Sequence, residues 1–276
     1  MIKASTENAA QPINRAKLSE PLIAVIIVAI FYVSLNLMRW LAALGWGGFI
    51  PQSDTARLLI GYTFWVIPTL LTLLIIYDFN FGRVLRELGL KSNPWKSILW
   101  AFLFTLPMLF GYYATTKTAS LTGSIFFKEA LLPGVFEEYI FRGFLIGQLF
   151  KHGRLGFIPA VLISSIAFGL GHIYQGGTLP VLLGIILMTS IGSAWFSWLF
   201  IEWGRNLYLV MALHAFMNLW WSVFSAGDNA LGGISANIFR MITVAITVVV
   251  TVIMARRTGF KIKGRDWIFA PSADKR

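Results

Sequence analysis

GVFEEYIFRG, residues 134–143, places Glu137, Glu138 and Arg142 inside a stretch that otherwise has the composition of a membrane-spanning helix. A charged side chain at the bilayer centre costs about 2.5–3.5 kcal/mol on insertion scales, so such a group faces the protein interior and takes a partner. Glu138 and Arg142 stand at i and i+4, on one helix face, where they neutralise each other. Glu137 is rotated about 100° from Glu138 and faces a different neighbour. The stretch reads as the polar centre of a helical membrane protein.

The rest of the chain supports that reading. Hydrophobic residues make up 57% of the 276 residues and charged ones 13%, which excludes an ordinary soluble domain. There is no cysteine, so disulfides, thiolate nucleophiles and cysteine zinc sites are all excluded. Eight stretches are long and apolar enough to span a bilayer of about 20 residues' thickness: 21–46, 57–77, 96–116, 132–150, 155–173, 178–201, 206–224 and 235–255. The expected fold is therefore all-α, a polytopic membrane helix bundle of about eight transmembrane helices. We expect one integral-membrane domain over 1–276, with a motif core at 133–222 and tails at 1–20 and 257–276. The first helix follows Arg15 and Lys17, but its apolar run is too long for a signal peptide and no small-residue cleavage site interrupts it.

The net charge of +11 arises mainly in short loops and the C-terminal tail. That distribution is a topology signal, and no nucleic-acid partner is expected. With a cytoplasmic N-terminus, 17 of the 23 lysines and arginines fall on the cytoplasmic side, including Lys3, Arg83, Arg86, Lys91, Lys96, Arg154 and the tail residues Arg256 to Arg276. The opposite loops hold Arg57, Lys117 and Lys128. Both termini are expected in the cytoplasm of a multi-pass cell-membrane protein. Residues 81–95 fit either an interfacial amphipathic linker or a solvated loop. In the tail, Arg256, Arg257, Lys261, Lys263 and Arg265 are expected to anchor topology or to meet anionic lipid headgroups, with Trp267 and Phe269 at the interface.

Partners for Glu137 are few, because the chain has three histidines. His152 falls in a basic loop, which leaves His172 in FGLGH and His214 in HAFMN, with Asn218 one turn beyond His214. If helix 4 starts near Pro133, Glu137 lies about 6 Å along it, in the outer layer that also receives His172, His214 and Asn218. Gly143 and Gly147 in helix 4, and Gly169 and Gly171 before His172, would permit close helix approach. A carboxylate beside a histidine in a partly wet cavity can take a proton from water. Glu137, helped by His172, would be the base, and His214 and Asn218 would donate to the oxyanion formed when that water attacks a peptide carbonyl. Glu138 and Arg142 would orient these groups.

With these residues in view, the chain resembles the CPBP family of intramembrane proteases, which includes type II CAAX prenyl proteases and bacterial relatives linked to bacteriocin self-immunity. The family's E-E-x-x-x-R is similar to EEYIFR at Glu137, Glu138 and Arg142, its F-x-x-x-H to FGLGH at Phe168 and His172, and its H-x-x-x-[ND] to HAFMN at His214 and Asn218. All three occur in family order on successive helices. The resemblance implies a protease site at Glu137, His172, His214 and Asn218, supported by Glu138, Arg142 and Phe168, acting on a peptide or protein in or at the membrane. Members have been described both as metalloproteases and as glutamate-dependent enzymes without metal. We expect no cofactor, with zinc held by Glu137, His172 and His214 as the alternative. Prenyl-protein processing in eukaryotes takes its substrate at the cytosolic face, whereas the charge count puts this site in the outer half. A secreted or membrane-anchored peptide is therefore the expected substrate.

Other readings fit less well. A rhomboid-type serine site needs a G-x-S-G segment that is absent, and Ser164 and Ser165 sit in an apolar helix. The aspartyl type needs YD and GxGD, and the chain offers Tyr77 and Asp78 but SAGD at 225–228. A proton-coupled transporter would favour inverted repeats that the sequence does not display. A proteolytically inactive scaffold of the same fold is the remaining alternative. Arg39 and Arg240 are expected to snorkel or pair with backbone groups, Phe168 to pack, and Glu202 to pair with Arg205. The topology is directly testable: a reporter fused in the loop at Gln175 should read as extracytoplasmic, and a cytoplasmic signal there would invert the assignment.

Overall fold

Each apolar stretch of the sequence is helical in the computed structural model, which describes residues 19–116, 119–152 and 155–269. The N-terminal residues up to 18, Lys117, Arg154 and the last seven residues, which carry part of the charge argument, lie outside the described residues. Six helices are long and apolar enough to cross a membrane: α1 (Glu20–Leu41, extended by a π-helical turn to Trp46), α2 (Asp54–Ile76), α4 (Pro94–Thr116), α7 (Phe157–Gly171, extended to Gln175), α8 (Leu179–Glu202) and α10 (Ile234–Thr258). A seventh, α9 (Leu207–Val223), is apolar but has 17 residues, about 26 Å at 1.5 Å per residue. Among the described residues there is no strand, only an isolated bridge between Leu155 and Phe269. The bundle is therefore all-α and multi-pass, as the hydropathy pattern predicts.

The fourth expected helix, 132–150, belongs to a longer helical run from Ile125 to His152. Within it, π-helical turns at Ile125–Leu131 and Tyr139–Ile146 alternate with α5 (Leu132–Glu138) and α6 (Gly147–His152). All eight residues of the Tyr139–Ile146 turn are buried, so this run passes through the middle of the bundle with neighbours on every side. The tyrosine hydroxyls tie it to α2: Tyr139 and Thr69 lie 3.0 Å apart, and Tyr77 donates to Gln148 Oε1 at 2.6 Å.

Residues 81–95 resolve in favour of the amphipathic reading. The Asn80 side chain accepts the Arg83 N–H at 2.9 Å and starts α3 (Phe81–Leu88). Val84 and Leu88 are buried one turn apart while Arg83 and Arg86 stay exposed. Gly89 ends the helix at φ +94°, and a Cβ there would come within 2.2 Å of the Arg205 carbonyl oxygen.

The same contact explains one correction. Glu202 and Arg205 do not pair. Gly204 and Arg205 both adopt positive φ, +71° and +61°, and this turn sends the Arg205 side chain to Glu87, with Nη1 3.5 Å from Oε2 and Nη2 bonded to the Glu87 carbonyl. Burial lowers the proton affinity of Arg205 below the usual guanidinium value, and Glu87 opposes that shift. Glu202, 2% exposed, instead accepts the backbone N–H groups of Lys261 at 2.9 Å and Ile262 at 3.2 Å, fastening the chain that leaves α10.

Helix ends gather in two layers. Asn206 caps α9 and donates to Ser97 Oγ of α4 at 2.9 Å, Leu207 N–H bonds Gly89 O, and Gly156 N–H bonds Ile268 O. At the opposite end, Gln175 Oε1 accepts the Ala230 N–H at 3.0 Å and Ser120 N–H bonds Val223 O. Between the layers, α5 and α9 touch at Gly134, where a Cβ would lie 2.8 Å from the backbone nitrogen and Cβ of Ala215. Neither atom can swing aside, so Gly134→Val should push the helices apart. Overpacking costs about 1–3 kcal/mol, and a lowered thermal midpoint in detergent is expected; an unchanged midpoint would show that the approach is not tight.

Candidate active site

The close approach at Gly134 and Ala215 lays the first turn of α5 against α9, and one turn later Glu138 meets His214. Glu138 is fully buried and its Oε1 accepts two hydrogen bonds, from Arg142 Nη1 at 2.9 Å and from His214 Nδ1 at 2.7 Å. The i, i+4 pair read from the sequence is thus present, and it has a third member. Arg142, 1% exposed, also donates to the Ser193 carbonyl of α8 at 3.2 Å. Its guanidinium lies 5.0 Å from the ring centroid of Phe168, 5.3 Å from Phe196 and 6.0 Å from Phe141. Three rings therefore line the cation where water would otherwise be, and Phe168 does more than fill space.

These contacts fix the tautomer of His214. Glu138 Oε1 already accepts from Arg142, so it acts as an acceptor toward the ring, and the proton must sit on Nδ1. In the neutral ring Nε2 is then an acceptor, and it lies 3.9 Å from Glu137 Oε2. That separation is too long for a direct hydrogen bond and suits a single water bonded to both.

The two adjacent carboxylates have different surroundings. Glu138 is sealed, whereas the Glu137 side chain keeps 18% exposure. Glu137, His172, His214 and Asn218 all line one cavity of about 600 Å³. A second cavity of about 660 Å³, bounded by α1, α2 and α7, shares Glu137, Phe168 and His172 with the first. A smaller one of about 190 Å³ between α8, α9 and α10 shares His214 and Asn218. Glu137 lines both large cavities.

The remaining expected residues are placed as follows. His172 directly follows α7, and its Nδ1 bonds the Phe168 carbonyl at 2.8 Å, which again forces the proton onto Nδ1 because a carbonyl only accepts. Its ring lies 4.6 Å from that of Phe168. No direct bond joins it to Glu137 in the hydrogen bonds and ion pairs of the described residues, and His214 is the nearer imidazole. Asn218 donates one N–H to the Glu129 carbonyl at 3.1 Å. Arg240 bonds the Ala230 and Leu231 carbonyls at 2.8 and 3.1 Å and lies over Trp221, the backbone pairing expected of it, while also lining the cavity. Of the four glycines, Gly169 lies against α8, where a Cβ would come within 2.3 Å of Ser190 Oγ. Gly143 packs on Leu207 and Leu88, Gly147 lies beside Arg205, and Gly171 meets nothing.

Among the described residues no group of three or more histidine, aspartate or glutamate side chains is close enough together to hold a metal ion. The side chains of Glu137, His172 and His214 are not close enough together in this geometry to hold one. Sequence reasoning missed Tyr62 on α2, which lines both large cavities, and Gly134, which sets the helix spacing. Neither carries a local signal, because each is an unremarkable residue in an apolar run.

A multi-pass helical membrane protein with an acid–imidazole centre at a cavity of about 600 Å³ defines the class. Residues 124–220, the segment carrying all three motifs, match the family described as Type II CAAX prenyl endopeptidase Rce1-like. A search of curated proteins and one of solved structures return no match.

The buried ion pair makes a quantitative test. Removing one partner of such a pair costs about 3–5 kcal/mol because the other charge is stranded. Arg142→Met should destabilise the detergent-solubilised protein by about that amount, and adding Glu138→Gln should recover part of the loss. A single variant as stable as the parent would show that the pair is not desolvated.

Proposed function

We propose that the protein is an intramembrane endopeptidase that hydrolyses a peptide bond of a membrane-associated peptide or protein with a water activated by Glu137. The observation that carries this reading is the divergence of two neighbouring carboxylates, one open to a cavity and one sealed by Arg142 and His214. Neighbouring acids in unlike surroundings take unlike roles. The family match at residues 124–220 supports the reaction class.

In the proposed step, a water sits between Glu137 and His214 Nε2 and gives a proton to the Glu137 carboxylate. Its oxygen bonds the carbonyl carbon, and the carbonyl π pair moves onto oxygen. When that oxyanion collapses, the C–N bond breaks and Glu137 returns its proton to the leaving nitrogen, giving a free carboxyl and an amine. Glu138 keeps His214 in the Nδ1–H tautomer, which leaves Nε2 to accept from the water. His172 lines the same cavity, and Asn218 has one amide N–H left for the oxyanion. The scheme uses no metal.

The substrate follows from the side on which the cavity lies. Tyr174, Gln175, Gly227 and Asp228 line it, and these belong to the α7–α8 and α9–α10 loops. Positive-inside counting puts those loops outside the cell with both termini inside. A secreted or membrane-anchored peptide is accordingly the proposed substrate, rather than a CAAX-tailed cytosolic protein.

General acid–base groups contribute about 10²–10⁴-fold to rate. Membrane proteomes of cells carrying the parent and Glu137→Gln should therefore differ in peptides produced only by the parent, and a chelator should leave that difference intact. Identical peptide sets would contradict the reading, and partners that bind without cleavage would favour a scaffold.

A further inference from the structure

The proposed chemistry needs hydrogen-bond donors at the carbonyl oxygen, and the residues named so far supply few. A neutral imidazole has one N–H. That of His214 goes to Glu138, and that of His172 goes to the Phe168 carbonyl. Neither ring can donate to an oxyanion without first taking up a proton. Asn218 has given one of its two N–H groups to Glu129. Arg240 is turned to the Ala230 and Leu231 carbonyls and to Asn237.

Four tyrosines are buried among the described residues: Tyr62, Tyr77, Tyr112 and Tyr139. Three have partners for their hydroxyls, Tyr77 on Gln148, Tyr112 on the Ala236 carbonyl and Tyr139 on Thr69. Among the described residues Tyr62 has no hydrogen-bond partner, although only 5% of it is exposed. A buried phenol without a partner forgoes the hydrogen bond it would make in water unless something in the cavity meets it. Its hydroxyl is not sealed off, in contrast to Ser164 Oγ or Ser193 Oγ. Tyr62 lines both large cavities, and so does Glu137. The ring cannot easily turn away, since it stacks on Phe136 at 4.6 Å and 14° and packs edge-on against Trp65 at 5.2 Å. Phe136 directly precedes Glu137, so the stack registers the phenol against the base.

We propose that Tyr62 is a further catalytic residue, whose phenol O–H donates a hydrogen bond to the carbonyl oxygen of the scissile peptide as it becomes an oxyanion. With the remaining Asn218 N–H it makes a two-donor site. The hydrogen bond strengthens as charge grows on the oxygen, so it lowers the barrier more than it aids substrate binding. This inference rests on the Glu137 reading above.

The test uses the full chain purified in detergent, with a quenched fluorogenic peptide carrying a lipid anchor as probe and Tyr62→Phe and Glu137→Gln as variants. Phenylalanine keeps the stack on Phe136, so the thermal midpoint of Tyr62→Phe should match the parent. Loss of one oxyanion donor costs about 10²–10³-fold in kcat. A fall of about 100-fold in kcat, with KM unchanged within about twofold, is expected for Tyr62→Phe. A parental kcat in Tyr62→Phe, with Glu137→Gln silent, overturns the role of Tyr62 alone. Parental turnover by Glu137→Gln, or no cleavage of the probe by the parent chain, overturns the Glu137 chemistry and the tyrosine's role with it. A Tyr62→Phe variant that raises KM with kcat unchanged assigns the phenol to substrate binding and also overturns the proposal.

Discussion

The arrangement depends on one buried carboxylate oxygen. Glu138 Oε1 receives an arginine from its own helical run and an imidazole from α9, and it has no exposure to water. A lone carboxylate in such surroundings would be too costly to keep charged. The guanidinium makes the charge tolerable, and the imidazole adds a hydrogen bond whose direction is fixed. Arg142 then reaches the Ser193 carbonyl, so three segments, α5, α8 and α9, are tied through one group. Moving any of them strands a charge or a carbonyl inside the bundle.

From that constraint the unlike surroundings of the two glutamates follow. Glu138 is sealed, whereas Glu137 opens onto the cavity. His214 lies between them, with one nitrogen spoken for and the other within one water's span of Glu137. Apolar walls strengthen each of these contacts by excluding competing solvent. The aromatic rings around Arg142 serve the same end and connect it to Phe168 and thence to His172.

The helices were legible because each has the length and composition that a bilayer demands. Glu137, Glu138, Arg142, His172, His214 and Asn218 were legible because polar residues in apolar runs need a reason, and the reason here is shared. Less could be read of what joins distant parts of the chain. The π-helical turns around α5 have no sequence signature of their own; the run at Tyr139–Ile146 is buried on every face, and tertiary packing sets its geometry. Glu202 seemed to belong with Arg205 by proximity, but a positive-φ turn separated them and backbone N–H groups 60 residues away took its place. Tyr62 carried no signal, because a tyrosine in an apolar helix is ordinary until its hydroxyl is found without a partner.

The central claim is that Glu138 holds His214 with its proton on Nδ1 and leaves Nε2 bare toward Glu137. Nitrogen-15 chemical shifts of histidine-labelled protein, with His214 assigned by substitution, measure this directly. The account predicts a protonated, hydrogen-bonded Nδ1 and an unprotonated Nε2 in the resting protein, and loss of that pattern in Glu138→Gln. A resting His214 with its proton on Nε2 would contradict it.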